Sequence, residues 1–121
     1  MPRPVHFEIP AHDVGRATSF FSNVFGWQFQ GWGDGDYQIA TTGEESEMGI
    51  NGAVFKAAEA RQPIVNSIGV ASIDSMVSKI TAHGGAMIQA KQPVPGMGWY
   101  ATFKDTEGNL HGLWESDQAA K

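Results

Sequence analysis

His6 and Glu8 are the residues of this 121-residue chain best placed for chemistry. Two positions apart in the alternating run Val5-His6-Phe7-Glu8-Ile9, they project from one face of an extended strand, while Val5, Phe7 and Ile9 project from the other. An imidazole beside a carboxylate can move a proton, anchor a ligand by hydrogen bonds, or give two donors to a metal. A carboxylate facing a semi-enclosed site has its pKa raised unless it is paired, which would suit a general base. The structural alternative is a His6 satisfied by backbone or carboxylate and a Glu8 paired with His6 or a lysine at a rim.

Trp27, Trp32, Tyr37, Trp99 and Trp114 could line a pocket for a planar or apolar molecule, or could simply pack a small core. His12 and His83 fall at helix boundaries and His111 on the outer face of a last strand, so none of them joins the first pair. The absence of cysteine removes disulfides, thiolate metal sites and a cysteine nucleophile. Gly31–Asp36 lacks the spacing and the lysine of a nucleotide loop, and no Ser/His/Asp triad can be assembled.

The elements that position these residues follow from periodicity. Pro10 is expected to end the first strand, and Asp13 to cap a helix whose apolar stripe is Val14, Ala17, Phe21, Val24 and Phe25, stopped by Gly26. Strands are expected near Trp27–Gln30, Tyr37–Thr41 and Met48–Phe55. The polar, proline-bearing stretch 57–63 reads as a linker. The pattern then restarts: a strand over Val65–Ala71, a helix capped by Asp74 with Met76, Val77 and Ile80 inward, and strands over Ala86–Ala90, Trp99–Phe103 and Leu110–Glu115. Asp105–Asn109 reads as the connection between the last two. Two βαβββ units therefore divide the chain, about 4–56 and 64–116, in one α+β domain over 1–121. Two such units would form a cupped, barrel-like mixed sheet whose concave face is the natural ligand site.

Net charge is −5, with the eight Lys and Arg scattered, which argues against nucleic acid. No apolar run approaches the ~18 residues that cross a bilayer, and the first residues show no signal pattern, so a cytoplasmic location away from membranes is expected.

The stretches VHFEIPAHDVGRATSFFSNVFGW (5–27), AHGGAMI (82–88) and PGMGWYATFKDTEGNLHGLWE (95–115) resemble small bacterial members of the vicinal-oxygen-chelate superfamily, the relatives of glyoxalases, bleomycin-resistance proteins and extradiol dioxygenases. The resemblance implies metal ligands on the first and last strand of each module, and a homodimer. Here the first-strand position falls on His6, the only matched ligand. The second module's falls near Ile68, its last strand offers Gly112, and the last strand of module one offers Asn51. No metal or other cofactor is therefore expected. The first functional reading is metal-independent binding of a small apolar or aromatic molecule in the cup. His6, Glu8 and Asn51 would supply polar contacts, and Trp99 and Trp114 the walls. The alternatives are a glyoxalase-like lyase or isomerase, or a dioxygenase relative, with His6 or Glu8 moving a proton, and a non-catalytic accessory or assembly module.

Overall fold

The computed structural model describes residues 2–121. They form two compact units, His6–Ile64 and Val65–Lys121, the second taking in the leading residues through Val5. Each carries one βαβββ module, as the repeat in the sequence implies.

Module one runs β1 (Arg3–Ala11), α1 (Val14–Phe25), β2 (Gln28–Trp32), β3 (Tyr37–Thr41) and β4 (Asn51–Lys56). Its strands lie in the order β2-β3-β4-β1, with β1 and β4 parallel and the others antiparallel. The Asp13 carboxylate accepts the Arg16 N–H at 2.9 Å, and Gly26 ends the helix at φ 74°, a left-handed turn that costs glycine nothing. Pro10 does not end β1, which continues to Ala11 opposite Lys56. The Ala11 carbonyl accepts the Ala57 N–H at 2.8 Å, so alternation turns the missing Pro10 donor away from β4 and the ladder loses nothing.

α1 covers one face only. Phe21 stacks on Trp27 with ring centres 4.8 Å apart, and Trp27 meets Phe7 of β1 at 5.5 Å. Trp27 is thus core packing, and the face of β1 that carries His6 and Glu8 is the one turned away from α1.

Module two repeats the plan with β5 (Val65–Gly69), α2 (Ile73–Ala82), β6 (Ala86–Val94), β7 (Gly98–Lys104) and β8 (Leu110–Ser116), in the order β5-β8-β7-β6. Ile73, Ala101 and Leu113 form its buried centre, packed by Ile68, Met76, Val77, Ile80, Trp99 and Phe103 among others. The N-cap of α2 is Ser72, whose hydroxyl accepts the Ser75 N–H at 3.2 Å; Asp74 sits instead in the first turn, where its charge meets the positive helix end and pairs with Lys91 at 3.1 Å. β6 runs on to Val94 rather than stopping at Ala90, with two register irregularities, and its Pro93 is tolerated because β6 is an edge strand.

Asp105 organises the β7–β8 connection. Its carboxylate accepts the N–H groups of Glu107 and Asn109, both at 2.9 Å, and lies 2.9 Å from His111 Nε2. The His111 hydrogen bond, then the Asn109 N–H, hold its pKa well below the usual aspartate range.

Candidate functional site

Tyr37 joins His6 and Glu8 into one cluster. Its hydroxyl donates to Glu8 Oε2 at 2.6 Å, and His6 Nε2 lies 3.1 Å from the same oxygen and 3.7 Å from the carboxylate. The fold explains the reach. β3 and β1 are not neighbours; β4 lies between them, and Ala53 of β4 stands opposite both Glu8 and Ile39. A methyl at Ala53 lets the phenol of Tyr37 cross the strand, about 10 Å from β3 to β1, where a larger side chain would block it.

His6 and Glu8 keep 33% and 20% of their side-chain surface exposed, enough to meet a ligand yet partly shielded from water. Burial raises the pKa of Glu8, but hydrogen bonds from His6 and Tyr37 and the charge of His6 outweigh it, and the net shift is downward. Glu8 is an ionised anchor with a weakened appetite for protons, contrary to the raised pKa that an unpaired carboxylate would show. A group whose folded-state pKa is depressed stabilises the fold fully above its ordinary value, here 4.5, and that contribution is lost as pH falls through the folded value. Glu8→Gln is therefore expected to flatten the acid limb: its urea midpoint should drop less than that of wild type between neutral pH and about pH 3.

The remaining side chains of this face follow from register. Trp32 pairs with Tyr37 and meets its ring edge-on at 6.0 Å; Ile39 and Phe55 stand on the same side. Asn51 is opposite His6, but its carbonyl oxygen accepts from the Thr42 N–H at 2.9 Å and faces the Thr42 hydroxyl at 3.3 Å, so it braces the β3–β4 connection.

In module two alternation parts the two tryptophans that the sequence offered as walls. Trp99 lies on the α2 face, packed against the Ile73–Ala101–Leu113 core, with its indole N–H donated to Asp117 at 3.0 Å and Lys91 over its ring. The expectation that it shares a ligand face with Trp114 is corrected: odd positions of β7 face the helix. Trp114 is on the other face, opposite Tyr100 and Gly69, with its ring over Gly98 and its N–H donated to Ser116 at 3.0 Å. His111 stacks on Phe103 on the α2 side. Ile68 also packs toward α2, so the non-helix position of β5 is Ser67, paired with Gly112 as His6 is with Asn51. Ser67 was missed because Val65–Ala71 reads as a mostly apolar run in which either face could be the inner one.

A catalytic divalent metal needs about three protein donors. At the matched positions this chain offers His6, an Asn51 oxygen already engaged, the Ser67 hydroxyl and no side chain at Gly112. Among the described residues, no group of three or more His, Asp or Glu could hold a metal. The site that the superfamily would imply does not fit these residues. Gly112 cannot simply regain a carboxylate: a β-carbon there would come within 2.6 Å of Ser67 Oγ and 3.0 Å of the Tyr100 hydroxyl. Gly112→Asp is expected to cost about 2 kcal/mol in a denaturant titration, the usual penalty of overpacking, and to create no stoichiometric zinc site by calorimetry.

Comparison with known proteins agrees with this architecture. Residues 3–43 match the family described as bleomycin resistance protein-like N-terminal. A glyoxylase-like domain-containing protein of Didymella fabae is 30% identical over 112 residues, covering 88% of each chain. This chain belongs to the glyoxalase/bleomycin-resistance family. A glyoxalase/bleomycin resistance protein/dioxygenase superfamily member from Vibrio splendidus has the same fold, with a TM-score of 0.68 at 15% identity over 96% of this chain and 100% of its own. Methylmalonyl-CoA epimerase from Mycobacterium tuberculosis shares it too, with a TM-score of 0.67 at 12% identity over 94% of this chain and 87% of its own. Among the described residues, no helix of this family member is long and apolar enough to cross a membrane.

Proposed function

We propose that the protein binds a small apolar or aromatic molecule without a metal, on the face of module one turned away from α1. The observation that carries this reading is the Glu8–Tyr37–His6 cluster, a fixed polar pole beside Trp32, Ile39 and Phe55. A few placed polar groups on an apolar surface are what small-molecule sites are made of. The lowered pKa of Glu8 favours an anchoring carboxylate over the proton-abstracting Glu8 of a lyase or isomerase. Trp114 stays a proposed ligand contact of module two taken by itself, on its face turned away from α2, and Trp99 does not.

Amide-resolved NMR titration with a library of aromatic fragments tests the reading. Shifts should concentrate on His6, Glu8, Trp32, Tyr37 and Ile39, and Tyr37→Phe, which unties Glu8 and His6 from their shared partner, should weaken binding by about tenfold. Fragments that bind elsewhere, or not at all, would refute it. The same reading includes a cytoplasmic homodimer with no nucleic-acid partner, which the resemblance and the scattered positive charge support. Sedimentation at micromolar concentration showing a monomer would remove the dimer.

A further inference from the structure

The hydrogen-bond arithmetic of the cluster fixes more than its geometry. Tyr37 has one hydroxyl proton, and it is donated to Glu8 Oε2 at 2.6 Å. The phenol oxygen can then only accept from His6, 3.1 Å away, which requires a proton on Nε2. In a neutral imidazole the other nitrogen is a lone-pair acceptor, and Nδ1 has no protein partner among the described residues. A carboxylate that orients a histidine is a familiar arrangement, but here a phenol is interposed between the two.

We propose that Tyr37 and Glu8 hold His6 as the Nε2–H tautomer, making Nδ1 the acceptor of the site, and that its ligand is an aromatic molecule bearing a hydroxyl or N–H donor. This rests on the reading of the preceding section. The donor of the ligand meets Nδ1 while its ring lies against the apolar side chains of the same face. An aromatic carboxylate is rejected: it has no proton to give Nδ1, and Glu8, whose oxygen is 3.7 Å from His6 Nε2, adds like charge across the ring. Tyr37 is a positioning residue: it acts on the ligand through His6. Ala53 shares that role by leaving the phenol room to cross β4.

The test uses the full chain at about pH 8, where an ordinary imidazole is neutral. Long-range proton–nitrogen correlation reads the His6 tautomer, and the ring signals of His6 and Tyr37 are followed during titration with phenol, anisole and benzoate. The expected result is an Nε2–H tautomer, phenol binding about tenfold tighter than anisole, which lacks the donor, and no response to benzoate. Tyr37→Phe should release His6 into a mixture of tautomers and shrink the preference for phenol over anisole, whereas simple loss of packing would weaken both probes equally. If that variant fails to fold, the wild-type tautomer still decides.

An Nδ1–H tautomer in the wild type overturns the proposal. So does equal binding of all three probes, which would leave the ligand face standing and remove only its selectivity. Silence from all three with the Nε2–H tautomer in place would instead overturn the ligand-binding reading itself, and the selection with it.

Discussion

Replacing Leu113 by alanine is expected to destabilise the protein by about 3 kcal/mol, a large fraction of the stability of an ordinary small domain. Leu113 is 1% exposed at the centre of module two, where it meets Ile73 and Ala101, both fully buried. It lies on β8, between β5 and β7, so no solvent-facing edge can relax to fill the void. Ile73 and Leu113 are the large apolar side chains fully buried in this module, and each carries a correspondingly large share of the packing. Equilibrium urea unfolding, followed by tryptophan fluorescence, measures the loss. A change under 1 kcal/mol would mean that this core is far more plastic than its packing indicates.

Gly52→Ala should be at least as damaging, about 3 kcal/mol, for a different reason. Gly52 stands opposite Phe7 in the parallel β1–β4 ladder, and a β-carbon there would collide with both the Phe7 carbonyl oxygen and the Phe7 ring. The colliding backbone atom cannot rotate away, so β1 itself must shift. His6 and Glu8 flank Phe7, and the displacement would carry them off Tyr37. The variant should therefore lose stability and, where it still folds, lose the hydrogen-bond signature of the Tyr37 hydroxyl. Retention of both in unfolding and NMR experiments would show that the close approach of β1 and β4 is not what sets the site.

The sequence disclosed the parts of the fold written in local chemistry. Asp13 and Gly26 bracket α1 because capping and a left-handed turn depend on residues within one turn of the helix. The pairing of His6 with Glu8 was legible because a strand alternates. Three features resisted for identifiable reasons. Ser72 and Asp74 are both good capping types, and the choice was made by the burial of Ile73, a tertiary fact. The face of Ser67 was obscured by a run apolar on both sides. Tyr37 was visible only as an aromatic; its role depends on a contact across 29 residues and an intervening strand with a small side chain at Ala53.

The central claim is that this family member presents a metal-free ligand face built on Glu8, Tyr37 and His6. The most direct test maps aromatic-fragment binding by NMR on protein stripped with a chelator and again after addition of zinc. The account predicts shifts at His6, Glu8 and Tyr37 in the stripped protein, unchanged by the metal. Binding that is absent from the stripped protein and returns with stoichiometric zinc would contradict it, and would make His6 a metal ligand.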